Sequence, residues 1–253
     1  MNQGPWEYER HCAAIEAEST RFVEVITDVD PRTPVPTCPG WTIAALVKHH
    51  GTTQRWIDHL VQNRVREPLS PRDMELDLPT DEAAYPAWLA AGAEALLASL
   101  RGIDPDAPIW SWGADQNARF WSRRMLHETV IHRADAELAC GQTPHIDVAT
   151  AADGIDEFLA ILPFWLGRRG RELRRDGATV HLHATDSAGE WMVTLHAEGP
   201  RWERGHGKGT AAVRGATGDL LQLTYGRCRP DDERFTVFGD RDLLTEWLTT
   251  TAF

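Results

Sequence analysis

The hydrophobic period of this chain changes once, and that change limits the folds open to it. From Trp6 to about Arg169, apolar residues recur every three or four positions, as on one face of packed helices. From Thr179 the period is two. TVHLHA (179–184) and EWMVTLH (190–196) alternate, and the turn from Asp186 to Gly189 between them makes a hairpin. The expected fold class is therefore α+β: a helical bundle first, then a smaller α/β domain.

Five helices are read before the change. The first spans Trp6 to Val29, with Cys12, Ile15, Phe22 and Ile26 at helical spacing, and the proline-punctuated loop from Asp30 to Gly40 stops it. Thr42 can cap a second, running to about Arg64. A third spans Asp81 to Leu100, a fourth Asp115 to Ala139 with Gly141 ending it, and a fifth Ala149 to Arg169. Four helices joined by loops of moderate length make a bundle, here expected over 1–141. After a short linker, a second domain is expected over 148–253. Beyond the hairpin, Arg201 to Val213 adds a strand. Helices at Asp219 to Tyr225 and Asp240 to Leu248 flank a strand at Phe235 to Phe238.

Charge and cysteine usage narrow the function. A net charge of -12 and the lack of a basic stripe argue against nucleic acid. The apolar runs are far short of a membrane span, and MNQGPWEYER lacks a signal peptide's charged-then-apolar pattern. Cys12, Cys38, Cys140 and Cys228 are scattered, without a CxxC, and read as free thiols in the reducing cytoplasm.

The stretch WSRRMLHETVIHRADAEL, Trp121 to Leu138, reads as one long amphipathic helix. It sets Glu128 and His132 four residues apart, one turn above each other on one face, where a carboxylate and an imidazole can share a metal. His127-Glu128 begins like HExxH, but residue 131 is isoleucine, so the zincin motif fails. His49 and His50 both lie near the apolar side of the second helix, and spacing does not choose between them. Asp135, one turn beyond His132, could orient its ring but reads first as a helix-surface acid. His181 and His183, with His196 as a cross-strand third, read as a polar sheet face rather than a metal site. GHGKGT (205–210) lacks the phosphate-loop spacing and reads as a flexible connection. No serine sits in GxSxG.

Five stretches carry a resemblance that covers nearly the whole chain in order: CPGWTIAALVKHH, HETVIHRADAE, VHLHATDSAGEW, VRGATGDLLQLTYGR and FTVFGD. They resemble the mycothiol-dependent maleylpyruvate isomerase family, whose N-terminal part belongs to the wider DinB-like superfamily. The resemblance implies a DinB-like four-helix metal-binding bundle and a smaller α/β domain. It also implies a divalent metal, usually zinc, held by two histidines and a glutamate. The family's first histidine falls eight residues after the Trp of CPGW, which selects His49 over His50. The block matching HETVIHRAD supplies Glu128 and His132. The arginine closing the leucine-rich C-terminal helix matches Arg227, to which the family gives a part in catalysis and in binding the thiol cofactor. Tyr225 stands where the family often has Trp.

The implied activity is that of a metal- and mycothiol-dependent enzyme. A metal-activated thiol adds to the double bond of a cis-enedioate, the new single bond rotates, and expulsion of the thiol leaves the trans isomer. The same site could serve mycothiol S-transfer to an electrophile, and two histidines with one carboxylate also suit iron in an oxygenase. The implied partners are a small-molecule substrate and a low-molecular-weight thiol, with no nucleic acid and no membrane. The sequence leaves the substrate, the metal and the oligomeric state open. With three ligands expected in the bundle, alanine at His181 and His183 is expected to leave metal content intact.

Overall fold

The computed structural model describes residues 8–74, 76–166 and 175–252. Contacts divide the chain into two compact units, Met1–Pro144 and His145–Phe253, and each is described by itself.

The first unit holds four helices: α1 Tyr8–Ile26, α2 Ile43–Gln62, α3 Tyr85–Arg101 and α4 Ala118–Ala139. The expected start of α1 at Trp6 lies outside the described residues. α1 buries Cys12, Ile15, Phe22 and Ile26, the side chains its period placed together. α1 and α2 each pack against both α3 and α4. Tyr8 ties α1 to α3 by donating its hydroxyl to the Leu100 carbonyl at 2.9 Å. Thr42 caps α2 by accepting from the Ala45 N–H at 3.4 Å, a contact type worth about 1 kcal/mol.

Two helix starts fall later than the sequence suggests. Asp81 caps only a short 3-10 turn, Glu82–Ala84, and α3 proper begins with Pro86 in its first turn, where a missing N–H costs nothing. Asn117, not Asp115, caps α4 by accepting from the Phe120 N–H at 3.2 Å. Gln116 is held outside the helix because its side-chain amide donates to the Ser111 carbonyl at 2.8 Å. α4 ends as expected: Gly141, at φ +71°, donates to the Leu138 carbonyl, and Gln142 to Glu137, the double bond of a Schellman cap.

α4 is amphipathic in pattern only, because 15 of its 22 residues are buried. Its buried polar groups therefore need partners. Arg133 is paired with Glu18 of α1 and with Glu137. Ser122 meets His11 of α1 at 3.1 Å, and Thr129 donates to the Met125 carbonyl at 2.7 Å.

The second unit begins with α5 Val148–Leu166. Its expected extension to Arg169 lies outside the described residues. Five strands follow, β1 Thr179–Ala184, β2 Glu190–Thr194, β3 Arg201–Arg204, β4 Ala211–Gly215 and β5 Thr236–Gly239, together with α6 Thr217–Thr224 and α7 Arg241–Thr251. The sheet order is β3-β2-β1-β4-β5, with β1 and β4 parallel and the other pairs antiparallel. The single strand expected over 201–213 is two strands, separated by the glycine-rich connection. Val180, Leu182, Trp191, Val193, Ala211 and Val213 are fully buried on the face that α5–α7 cover. Trp191 donates its indole N–H to Asp156 of α5 at 2.7 Å. The alternate residues, His181, His183, Glu190 and Met192, lie on the opposite face.

Candidate metal centre

The centre begins with a turn. The Trp41 N–H donates to the Cys38 carbonyl at 2.9 Å, with Pro39 and Gly40 between them and Gly40 at φ +84°. Proline second and a positive-φ glycine third is the type II pattern, which no side-chain-bearing residue fills as well. The Ile43 N–H donates to the Thr33 carbonyl at 2.9 Å, fixing this loop to the start of α2. Trp41 thereby lies against two imidazoles, its ring 5.0 Å from that of His49 and 6.4 Å from that of His132.

α2 and α4 then bring His49, Glu128 and His132 together. The Nε2 atoms of both histidines lie 3.1 Å from the same oxygen, Glu128 Oε1. Each residue offers a ligand atom within 4.8 Å of the others. His49 is 42% exposed, so the cluster is open on that side, whereas His132 and Glu128 are 7% and 14% exposed.

Asp135 is not a surface acid. It is fully buried, because α4 is enclosed on nearly all sides. Its Oδ2 lies 2.9 Å from His132 Nδ1 and accepts from the Cys38 thiol at 3.5 Å, and its Oδ1 accepts from the Thr37 hydroxyl at 2.6 Å. A buried carboxylate beside Nδ1 holds the proton there and turns the Nε2 lone pair toward Glu128. Two electron-rich atoms facing each other at 3.1 Å require positive charge between them: a second proton on the ring, or a cation. Burial alone would lower the His132 pKa, but Glu128 and then Asp135 outweigh it and raise it to about 9. Burial also opposes ionisation of Glu128, yet His132, His49 and Arg124 hold it well below the usual carboxylate range. Arg124, buried and 3.5 Å from Glu128 Oε2, is a neighbour the sequence reading missed, although it lies one turn before Glu128. The donor set of two imidazoles and one carboxylate fits a divalent ion such as zinc.

His50 does not join this cluster. It is fully buried, lies 3.4 Å from the Thr129 hydroxyl and packs on Phe22. Burial pushes its pKa down to about 3, so it is a neutral core residue.

The hairpin histidines form a second cluster. His181 and His183 are there, but His196 is not, lying instead 3.9 Å from Asp176. Its place is taken by Glu190 and His206. The reading of a solvated face fails at His181, which is only 4% exposed, because the glycine-rich connection lies over it. A Cβ on Gly209 would sit 3.0 Å from His181 Cβ and 2.5 Å from the Ala211 carbonyl oxygen. Arg227 stands just past α6. Gly226, at φ +71°, donates to Leu223, and Arg227 N–H donates to Gln222 at 2.8 Å, a second Schellman cap. The Arg227 guanidinium also donates to the Tyr225 carbonyl at 2.7 Å.

A helical bundle with a clustered His/Glu/His donor set, followed by a mixed-sheet domain, defines a two-domain candidate metalloprotein. Residues 12–137 match the mycothiol maleylpyruvate isomerase N-terminal domain, and residues 149–246 match the C-terminal domain of the same family. The chain belongs to the mycothiol-dependent maleylpyruvate isomerase family. The fold is similar to the crystal structure of the mycothiol-dependent maleylpyruvate isomerase, with 16% identity, a TM-score of 0.58, and 91% of this chain and 92% of that one covered. A histidine-to-alanine mutant of that isomerase aligns with 16% identity, a TM-score of 0.55 and the same coverage. No curated protein matches the chain. Among the described residues, no helix is long and apolar enough to cross a membrane.

Proposed function

We propose that His49, Glu128 and His132 hold one divalent ion, zinc foremost, and that the protein isomerises a cis-enedioate of the maleylpyruvate type with mycothiol as its thiol. The observation that carries this reading is the convergence of two imidazole Nε2 atoms on one oxygen of Glu128 at 3.1 Å each. Three protein donors leave places open, which is the arrangement of catalytic sites rather than structural ones. When bound, the ion lowers the pKa of a thiol presented to it, and that thiol supplies a nucleophile whose reversible addition lets a conjugated double bond rotate.

The chain's own residues prepare the site. Asp135 keeps His132 in the tautomer that aims Nε2 at the ligand point. With His132 and His49, Arg124, which lies at the second oxygen of Glu128, keeps that carboxylate ionised. Trp41 packs its ring against both histidines. Three of the chain's four cysteines are poorly suited to act as the nucleophile themselves: burial pushes Cys12 up to about 11 and Cys228 up to about 12, and it raises Cys140 as well. Arg227, set by its glycine cap at the end of α6, holds the polar body of the thiol, as the family's corresponding arginine suggests.

The test is zinc content and thiol-dependent turnover of the full chain. The wild type should turn over a cis-enedioate only with mycothiol present, and Glu128→Ala should lose both zinc at this site and turnover. Turnover without any thiol would overturn the mechanism. Faster consumption of alkyl-halide-type electrophiles than of cis-enedioates would replace isomerisation with S-transfer.

A further inference from the structure

The face of the sheet that the helices do not cover carries a donor set of its own. β1 presents His181 and His183 two residues apart, on one side of the strand. Glu190 of β2 is the direct cross-strand partner of His183 and the diagonal neighbour of His181. His206 reaches the same point from just beyond β3. The Gly205 N–H donates to the Glu190 carbonyl at 3.1 Å, which fixes the backbone next to it. Three imidazole nitrogens thus meet one carboxylate oxygen. From Glu190 Oε2, His206 Nδ1 is 2.7 Å away, His181 Nε2 is 2.9 Å and His183 Nδ1 is 3.3 Å.

One carboxylate oxygen offers about two lone-pair sites, so it does not satisfy three imidazoles. The rings also stand nearly perpendicular to one another, at 88°, 82° and 73°. They are arranged around a point rather than stacked. Their ligand atoms lie within 4.8 Å of each other, while donors around a tetrahedral zinc, at bond lengths near 2.0 Å, are about 3.3 Å apart. Small side-chain rotations close that difference.

We propose that His181, His183, Glu190 and His206 form a second metal site, for a divalent transition ion of borderline softness such as zinc. Imidazole-rich sets with one carboxylate select such ions over calcium or magnesium. Four protein ligands close the coordination sphere, which marks a structural site. Its effect is on the 205–210 connection. His206 is 78% exposed, and the ion ties this otherwise solvent-facing residue to two strands. The spacing Gly205-His206-Gly207 suits that role. A Cβ on Gly207 would sit 2.9 Å from Met192 Cε, so the chain on that side of the histidine lies close against the sheet.

The proposal is independent of the thiol reading, and the experiment separates the two. The full chain is stripped with a chelator, reloaded with Zn²⁺ alone, desalted and analysed for zinc per chain. Two equivalents are expected for the wild type and one for Glu128→Ala, which lacks only the bundle site. In the Glu128→Ala background, His206→Ala removes a direct ligand. It should weaken the remaining site by more than the roughly 10–100-fold typical of losing a residue that merely orients a ligand. His206 is exposed, so this variant does not threaten the fold. His181→Ala should give the same loss, in place of the intact metal content expected from the sequence alone. As a second readout, Zn²⁺ should protect Arg204 and Lys208 from trypsin in the Glu128→Ala protein and should fail to do so once His206 is changed. A Glu128→Ala protein that binds no zinc, or whose zinc is indifferent to His206→Ala and His181→Ala, overturns the second site.

Discussion

Replacing Asp135 by asparagine tests how the bundle site is set. The carboxylate has one oxygen 2.9 Å from His132 Nδ1 and the other 2.6 Å from the Thr37 hydroxyl. Asparagine keeps the shape and removes the charge. If its NH₂ faces His132, two donors oppose each other. The ring then moves its proton to Nε2, the atom that should bind the ion. If its oxygen faces His132, the tautomer survives, but a neutral acceptor replaces an anionic one, and ligand basicity falls. Either way zinc affinity drops by roughly 10–100-fold, about 1.4–2.8 kcal/mol at tenfold per 1.4 kcal/mol. Loss of a buried charged hydrogen bond also costs about 1.5–3 kcal/mol of stability. The assay is a chelator-competition titration with Zn²⁺ in a His206→Ala background, so that only the bundle site is counted. Saturation at one equivalent should persist with a weaker Kd. Because Asp135 acts through His132, its effect should vanish in a His132→Ala background. An unchanged Kd, or an equal loss with and without His132, would refute the reasoning.

His49→Ala should abolish zinc binding at the bundle, whereas His50→Ala should keep it; full zinc in the His49→Ala protein would move the ligand to His50, whose Nδ1 lacks a hydrogen-bond partner among the described residues. Gly51→Ala should cost about 1–3 kcal/mol through overpacking, because its Cβ would lie 2.1 Å from the Trp88 ring, a ring also clamped by Arg55 at 3.9 Å; an unaltered Tm would show that α2 and α3 part there freely. With its pKa raised to about 12, Cys228 in the folded chain should alkylate at pH 8 on the order of a thousandfold more slowly than a free thiol of pKa ~8.5, and its rate should climb about tenfold per pH unit. Peptide mapping after timed alkylation at pH 8 and 10 reads this, and a plateau already at pH 8 would contradict the shift. Arg227→Ala should leave zinc content intact and raise the half-saturating mycothiol concentration; an unchanged thiol dependence would remove Arg227 from the thiol site.

Features that arise within one element were legible in the sequence. The change of period marked where helices give way to strands. Thr42, Gly141 and the Asp186–Gly189 turn marked ends and reversals, because caps and tight turns are decided by a few adjacent residues. Glu128 and His132 could be paired on paper, since a helix fixes the distance between positions four apart. The choice between His49 and His50 was different. Both lie on α2, and the distinction came from resemblance, because it depends on how α2 turns against α4. Asp135 looked like a surface acid from its helix position alone. Only the packing that buries 15 residues of α4 makes it an internal acceptor for Thr37, Cys38 and His132. Glu190 and His206 lie 16 residues apart, in a hairpin and a glycine-rich connection, with no periodicity to link them. A spacing within a helix or strand is set by backbone geometry, which every sequence shares. A meeting of side chains from separate elements is set by which faces pack, and that is decided only once the whole apolar core has formed.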